Sequence, residues 1–297
     1  MHRHIIYIIN EKAGTRTKKD LRSFIEQKTR EHGILFDSFL SVADGNYSFL
    51  NPIIEEKKTT DIVIAGGDGT VNQVINSLKS YDVNFGIIPC GSGNGLAFSA
   101  KIPKKPAKAL DTIFKGNASA VDAFTINDHF SCMLSGIGFD AKVAHDFAKQ
   151  PERGLTTYIK QIIKNFFSAK TYLFEIQLAN HSFTVEAFFI SIANSNQFGN
   201  NFTIAPVARL DDGLLDIVIV TKQNKLSFLL KTLMQVKGRN KIQTEISAKK
   251  GVVYFQTDQL DIHNKSLAPL HIDGDPAGTS EKFTIQIKKK CFRLLQP

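Results

Sequence analysis

Apolar and polar positions follow two different rhythms along this chain, and the change falls just after Gly116. Before it, short apolar runs alternate with stretches of helical spacing. Residues 4–9, 34–42, 62–65 and 85–88 read as strands. Between them, 17–31 carries Leu21, Phe24 and Ile25 at helical spacing, and 47–57 gives a second helix. A third helix is expected to start at Thr70 and run through Val71, Val74, Ile75 and Leu78. A linker at 101–106, with Pro103 and Pro106, leads into one more helix through Ala109, Leu110 and Phe114. This strand–helix alternation predicts a doubly wound parallel α/β sheet with helices on both faces.

After Gly116 the period shortens. Alternating segments at 118–126, 129–137, 171–178, 183–193, 214–220, 252–257, 260–263 and 282–288 predict an antiparallel all-β sandwich. Turn signals such as Asn127-Asp128 and Asp212-Gly213 separate them. Two helical stretches interrupt the strands. In 155–170, Leu155, Tyr158, Ile159, Ile162, Ile163, Phe166 and Phe167 share one face, either a core face or a lid that leans on lipid. The second, 225–236, is followed by Lys237, Arg239 and Lys241, a basic tail suited to a membrane surface.

Candidate chemistry gathers in the first third. Strand 62–65 runs into Gly66-Gly67-Asp68-Gly69-Thr70, and strand 85–88 into Pro89-Cys90-Gly91-Ser92-Gly93-Asn94-Gly95. Strand 4–9 ends in Asn10-Glu11-Lys12-Ala13-Gly14. In a parallel sheet all three loops open at the carboxyl edge, where ligands bind. Glycines there admit a ligand close to the backbone, and a following helix N-terminus attracts phosphate. Asp68 is placed to hold Mg²⁺ on that phosphate or to accept a proton. The alternative at each loop is a plain glycine turn.

Composition narrows the field modestly. At 42% apolar and 22% charged the chain suits a soluble protein with full cores. No apolar run approaches the ~18 residues of a membrane span, and the N-terminus is expected not to be a signal peptide. Cys90, Cys132 and Cys291 are isolated, which argues against a disulfide framework or zinc site. A reducing cytoplasm suits them. The formal charge of +9 favours anionic ligands or an anionic membrane face. No nucleic-acid-binding signature accompanies it.

Gly66-Gly67-Asp68-Gly69-Thr70 resembles the nucleotide loop of the diacylglycerol kinase, sphingosine kinase and NAD kinase superfamily. Further stretches resemble its lipid-kinase branch: Pro89 to Ala97, Gly136-Ile137-Gly138-Phe139-Asp140-Ala141, Ala193-Asn194 through Ala205-Pro206 followed by Leu210-Asp211-Asp212-Gly213-Leu214-Leu215-Asp216, and His271-Ile272-Asp273-Gly274-Asp275. The resemblance implies an N-terminal α/β nucleotide domain over 1–117, joined by a returning segment at 289–297. It implies a β-sandwich lipid domain over 118–288, with the lipid bound between the two. It implies a kinase that passes the ATP γ-phosphate to a lipid hydroxyl, diacylglycerol-like or sphingoid, with Mg²⁺, at the inner membrane face. A second copy of the chain is a candidate partner.

By the same resemblance Asn10, Glu11, Lys12, Ala13, Gly14 and Ser41 wrap the nucleotide. Gly66, Gly67, Asp68, Gly69, Thr70, Val71, Asn72 and Ser92 line the phosphates. Asp275 falls on the acidic proton acceptor, one methylene shorter than the usual Glu, with Asp68 its rival. Asp122 aligns with an acid facing the substrate head. Arg209, Asp212 and Leu214 resemble a structural Mg²⁺ site. Asn94-Gly95 departs from the bacterial diacylglycerol kinase pattern, which has Asp in place of Gly95. The alternatives are an NAD kinase-like enzyme with a soluble acceptor, or a catalytically silent nucleotide- or lipid-binding regulator.

Overall fold

The structure is a computed structural model, and it describes residues 3–13, 20–151, 154–199, 202–221 and 251–297. Gly14 and the helix and basic tail expected over 225–241 lie outside the described residues. Two compact units emerge, Met1–Val121 with Lys290–Pro297, and Asp122–Lys289.

The first unit is built from β1 (His4–Ile9), α1 (Leu21–Glu31), β2 (Leu35–Leu40), α2 (Asn51–Glu56), β3 (Asp61–Gly66), α3 (Asp68–Leu78), β4 (Asn84–Pro89), α4 (Gly95–Ser99) and α5 (Pro106–Lys115). β2, β1, β3 and β4 lie side by side in that order, all parallel. Arg293 and Leu294, from the end of the chain, add a fifth parallel strand against Asn84 and Phe85. β1 and β3 are buried along their whole length. Continuous apolar runs belong in a sheet covered on both faces. β2, at the edge, is only partly buried.

One boundary differs from expectation in a way that matters. α3 begins at Asp68, not Thr70. Gly67 holds the extended backbone just before the helix, and the Asp68 carboxylate then sits in the first turn, where the helix dipole favours an anion.

The second unit comprises β5 (Ala118–Ile126), in which the chain leaves the first unit, then β6 (His129–Ser131), β7 (Leu134–Gly138), α6 (Phe139–Ala148), α7 (Leu155–Phe167), β8 (Tyr172–Gln177) and β9 (Ser182–Ala193). The short strands β10 (Gln197–Gly199) and β11 (Phe202–Thr203) follow. Then come β12 (Leu215–Thr221), β13 (Val252–Thr257), β14 (Gln259–Asn264), β15 (Leu270–Ile272), β16 (Asp275–Ala277) and β17 (Lys282–Leu295), whose residues from Lys290 on belong to the first unit. The pairings β7–β9, β8–β9, β8–β14, β14–β17, β12–β9 and β12–β13 are antiparallel.

Burial alternates along β8 and β14, as it should where one face meets a core. The second half of β9 and most of β12 are buried on both faces. Their inward residues, among them Ile190, Ile192, Ile217 and Ile219, enter the sandwich core. The opposite face carries Phe188, Val218 and Val220, which pack with Phe139, Val143, Ile162 and Phe166 of α6 and α7. That packing puts Ile162 and Phe166 of α7 in the core, with Tyr158 against it, while Ile163 is exposed. The charged off-stripe residues Lys160 and Lys164 are exposed.

The single strand expected over 129–137 is two strands, and a helix follows that the periodicity did not reveal. Gly138 has φ +105, and a Cβ there would lie 2.6 Å from the Phe188 carbonyl oxygen. The strand therefore ends at a position only glycine fills, and α6 starts at once.

Candidate functional site

The carboxyl edge of the parallel sheet gathers three loops of the first unit. Asn10 leaves β1 and donates its backbone N–H to the Ala65 carbonyl at 2.9 Å. Its side-chain amide donates to Thr70 Oγ1 at 2.8 Å, tying the first loop to α3. Asn10 Oδ1 accepts the Lys12 N–H at 3.0 Å, which curls the loop back on itself. Glu11 and Lys12 are exposed. Ser41, just past β2, donates its N–H to the Ile9 carbonyl at 3.0 Å and so stays at the same edge.

The two glycine loops are joined by one carboxylate. Asp68 Oδ2 accepts the Asn94 N–H at 2.7 Å, and Oδ1 accepts the Gly95 N–H at 2.8 Å. Asn94 stands in the left-handed region at φ 59, and its side chain exchanges two hydrogen bonds with the Gly91 backbone. Gly67 and Gly91 touch back to back. A Cβ on Gly91 would lie 2.6 Å from the Gly67 Cα, and one on Gly67 3.1 Å from the Gly91 Cα. Neither loop has room for a side chain where they meet.

This geometry divides the expected loop residues by what they still offer. The Val71 side chain is in the core and its N–H bonds the Gly67 carbonyl at 3.0 Å, so it supports the loop from beneath. The N–H groups of Gly69 and Thr70 belong to the first helical turn, where no intrahelical acceptor exists. They are the donors an anion would meet. Asn72 and Ser92 are half-buried. Beside them a groove of about 330 Å³ is lined by Asp44, Asn46, Asn72, Gln73 and Asn76.

The second unit brings other predicted residues together. Ile272 and Asp275 pair across a two-residue turn whose residues, Asp273 and Gly274, both have positive φ (48° and 88°). That is the turn a tight hairpin requires. Asp273 is buried and accepts the Ser131 hydroxyl at 2.6 Å and the N–H groups of Cys132, Met133 and Leu134 at 3.0, 3.2 and 3.0 Å. Asp275, on the far side of the turn, is exposed.

Comparison with known proteins adds family to geometry. The profile of the diacylglycerol kinase catalytic domain matches residues 4–126. That of the YegS C-terminal NAD kinase beta sandwich-like domain matches 134–296, more than half of the chain. The protein named "Probable lipid kinase YegS-like" from Citrobacter koseri is 30% identical over 244 residues, 80% of this chain and 78% of its own. The chain belongs to the diacylglycerol kinase and YegS family. It is a kinase. The diacylglycerol kinase of Bacillus subtilis (strain 168) is 26% identical over 222 residues, covering 73% of this chain and 71% of that protein. A crystal structure described as a diacylglycerol kinase from Bacillus anthracis str. Sterne shares the fold with a TM-score of 0.75 at 18% identity, covering 100% of this chain and 97% of that one. A second structure from the same organism gives 0.80 at 19%, covering 100% and 96%.

Two predicted sites of this kinase share one turn. The Asp122 carboxylate is buried, and its Oδ2 accepts the Gly213 N–H at 2.7 Å, while its own N–H bonds the Leu210 carbonyl at 2.7 Å. Its geometry makes it the support of the 209–214 turn. Asp212, on that turn, is exposed and accepts the Leu214 N–H at 3.1 Å, and Gly213 has φ +73. The set of Asp212 with the Arg209 and Leu214 carbonyls is all oxygen, which suits a hard cation. Among the described residues no three His, Cys, Asp or Glu side chains cluster as metal ligands.

Asp216, on β12, is buried, and burial raises its carboxyl from the usual range to about 7, with the Asp212 charge adding to the rise. Tyr254 and Gln256 donate to it. Asn94 and Asp273 stand in the motifs read from the sequence, but sequence reasoning gave neither of them a role in holding its turn. The Asp273-Gly274 dipeptide was the available signal, since such pairs mark hairpin turns. Among the described residues no helix is long and apolar enough to cross a membrane.

Proposed function

We propose that this kinase takes the γ-phosphate of ATP and delivers it to a lipid hydroxyl. The observation that carries the reading is the Asp68 bridge, which locks both glycine loops beside the N-terminus of α3. Gly67 and Gly91 leave the backbone bare there, and the N–H groups of Gly69 and Thr70 receive phosphate oxygens. Asn10, Glu11, Lys12, Ala13, Ser41, Asn72 and Ser92 surround the nucleotide. The polar groove beside Asn72 takes its nucleoside end. The lipid acceptor is supported by the YegS-type second domain and by relatives named as lipid kinases.

Asp275 accepts the hydroxyl proton. It is exposed, and its backbone is fixed by a turn whose own carboxylate is fully engaged. Asp68 spends both oxygens on N–H donors, so the proton-acceptor role passes to Asp275. Asp68 would suit Mg²⁺, which binds through one or two carboxylates plus phosphate and would neutralise charge on the transferring group. Arg209, Asp212 and Leu214 would hold a second, structural Mg²⁺, with Asp122 bracing the turn. The chain acts at a cytoplasmic membrane surface.

The reading is tested by incubating the protein with radiolabelled ATP and Mg²⁺ against diacylglycerol, sphingoid bases, ceramide and phosphatidylglycerol, with NAD⁺ in parallel. Label in one lipid class is expected. Label in NAD⁺ alone would move the chain to the soluble-acceptor branch, and ATP binding without any transfer would make it a regulator.

A further inference from the structure

Asp140 and His271 meet over the Cα of Gly136. His271 lies directly across from Gly136 in the β15–β7 pairing. A Cβ on Gly136 would fall 1.8 Å from Asp140 Oδ2 and 2.6 Å from His271 Nε2. Both side chains are buried, with Asp140 Oδ2 3.5 Å from His271 Nε2. Asp140 Oδ1 accepts the Ala141 N–H at 2.8 Å, while Oδ2 accepts no hydrogen bond and has the His271 ring edge 3.5 Å away. On the other side of the ring, His271 Nδ1 faces the Gly274 N–H at 3.3 Å. An N–H only donates, so Nδ1 carries the lone pair and the proton of the neutral ring sits on Nε2, the nitrogen nearer Asp140. A carboxylate 3.5 Å from Nε2 favours a proton on that nitrogen, and so the tautomer that accepts from the turn.

We propose that Asp140 and His271 are positioning residues for Asp275, acting through the Gly274 N–H. This rests on the reading of Asp275 as proton acceptor. The turn between Ile272 and Asp275 has two residues, and each is held from behind: Asp273 by its carboxylate, Gly274 by His271. Packing alone does not account for the pair. A buried carboxylate and imidazole cost desolvation that an apolar pair of similar volume avoids, and they oblige position 136 to be glycine. What the polar pair adds is a directed acceptor at Gly274.

The test uses the full-length protein. Ring-nitrogen NMR of the wild type should report the Nε2–H tautomer for His271, and the Nδ1–H tautomer would overturn the proposal without any variant. His271→Asn keeps an oxygen near the Nδ1 position, whereas His271→Gln moves its polar end to the Nε2 side. In His271→Gln, exchange of the Gly274 amide should quicken about tenfold as its acceptor is lost. Its kcat should fall about tenfold or more with the KM for ATP unchanged, because a small misplacement near the chemistry is costly. His271→Asn should hold both within about twofold. Equal kcat in the two variants, or unchanged Gly274 exchange in His271→Gln, would overturn the proposal. Full activity in Asp275→Asn would instead sink the proton-acceptor reading. The tautomer and the Gly274 exchange would still decide whether the pair holds the turn.

Discussion

Two glycine turns in this kinase are each locked by an aspartate that accepts backbone N–H groups, yet they are built to opposite ends. In the first unit Asp68 reaches across to Asn94 and Gly95, and the helix whose first turn it occupies keeps the Gly69 and Thr70 donors at the loop. In the second unit Asp273 sits on the turn itself and takes one hydroxyl and three N–H groups from the 131–134 segment. The residue it leaves exposed is a carboxylate, Asp275. On the proposed reading, one turn would present donors to an anion and the other an acceptor to a proton. Phosphoryl transfer needs both, since the protein's part is mostly positioning and charge stabilisation.

Breaking each lock should therefore fail differently. Asp273→Ala strands four buried donors and should cost roughly 4 kcal/mol of stability, since bonds to charged groups are each worth about 1.5–3 kcal/mol and partial relaxation recovers some. Urea unfolding measures it, and a loss below about 1 kcal/mol would mean the turn is held elsewhere. Gly91→Ala forces the two loops apart at their 2.6 Å contact and should raise the KM for ATP about tenfold or more, with Gly67→Ala milder because its contact is 3.1 Å. Equal effects would argue that ATP does not meet the loops where they touch. Asp68→Asn keeps only one acceptor oxygen for two N–H groups and should weaken ATP binding by roughly 1–2 kcal/mol, read by calorimetry. The smallest effect concerns Asp212→Ala, which should abolish a rise of a few degrees in melting temperature on adding Mg²⁺ while leaving the metal-free value near wild type. A Mg²⁺-dependent rise that survives in the variant would remove Asp212 from the cation site.

How much of this was legible in the sequence depended on what each residue signals locally. Apolar runs such as 62–65 and the alternation along 171–178 gave the parallel sheet and the sandwich strands, because burial on two faces or one writes a period into the chain. Glycine runs at 66–69 and 91–95 exposed the phosphate-type loops for a similar reason. α6 was missed because Gly138 ends a strand and starts a helix with no intervening polar loop. The β15–β16 hairpin was missed because its strands have three residues each, too short to show alternation. Asp122 reads as a ligand-facing acid, and the structure adds that its Oδ2 accepts the Gly213 N–H. A carboxylate's partner 91 residues away leaves no local mark. The same holds for Asp140 and His271, whose meeting over Gly136 is a product of strand register.

The most direct measurement of the whole account is transfer of label from radiolabelled ATP into extractable lipid by the wild type and Asp275→Asn in one assay. The account predicts lipid phosphorylation by the wild type and a rate at least about a hundredfold lower in the variant, the scale of a lost general base. Its exposed position predicts an unchanged fold by circular dichroism. Equal transfer by the two proteins, or label that enters NAD⁺ and no lipid, would contradict it.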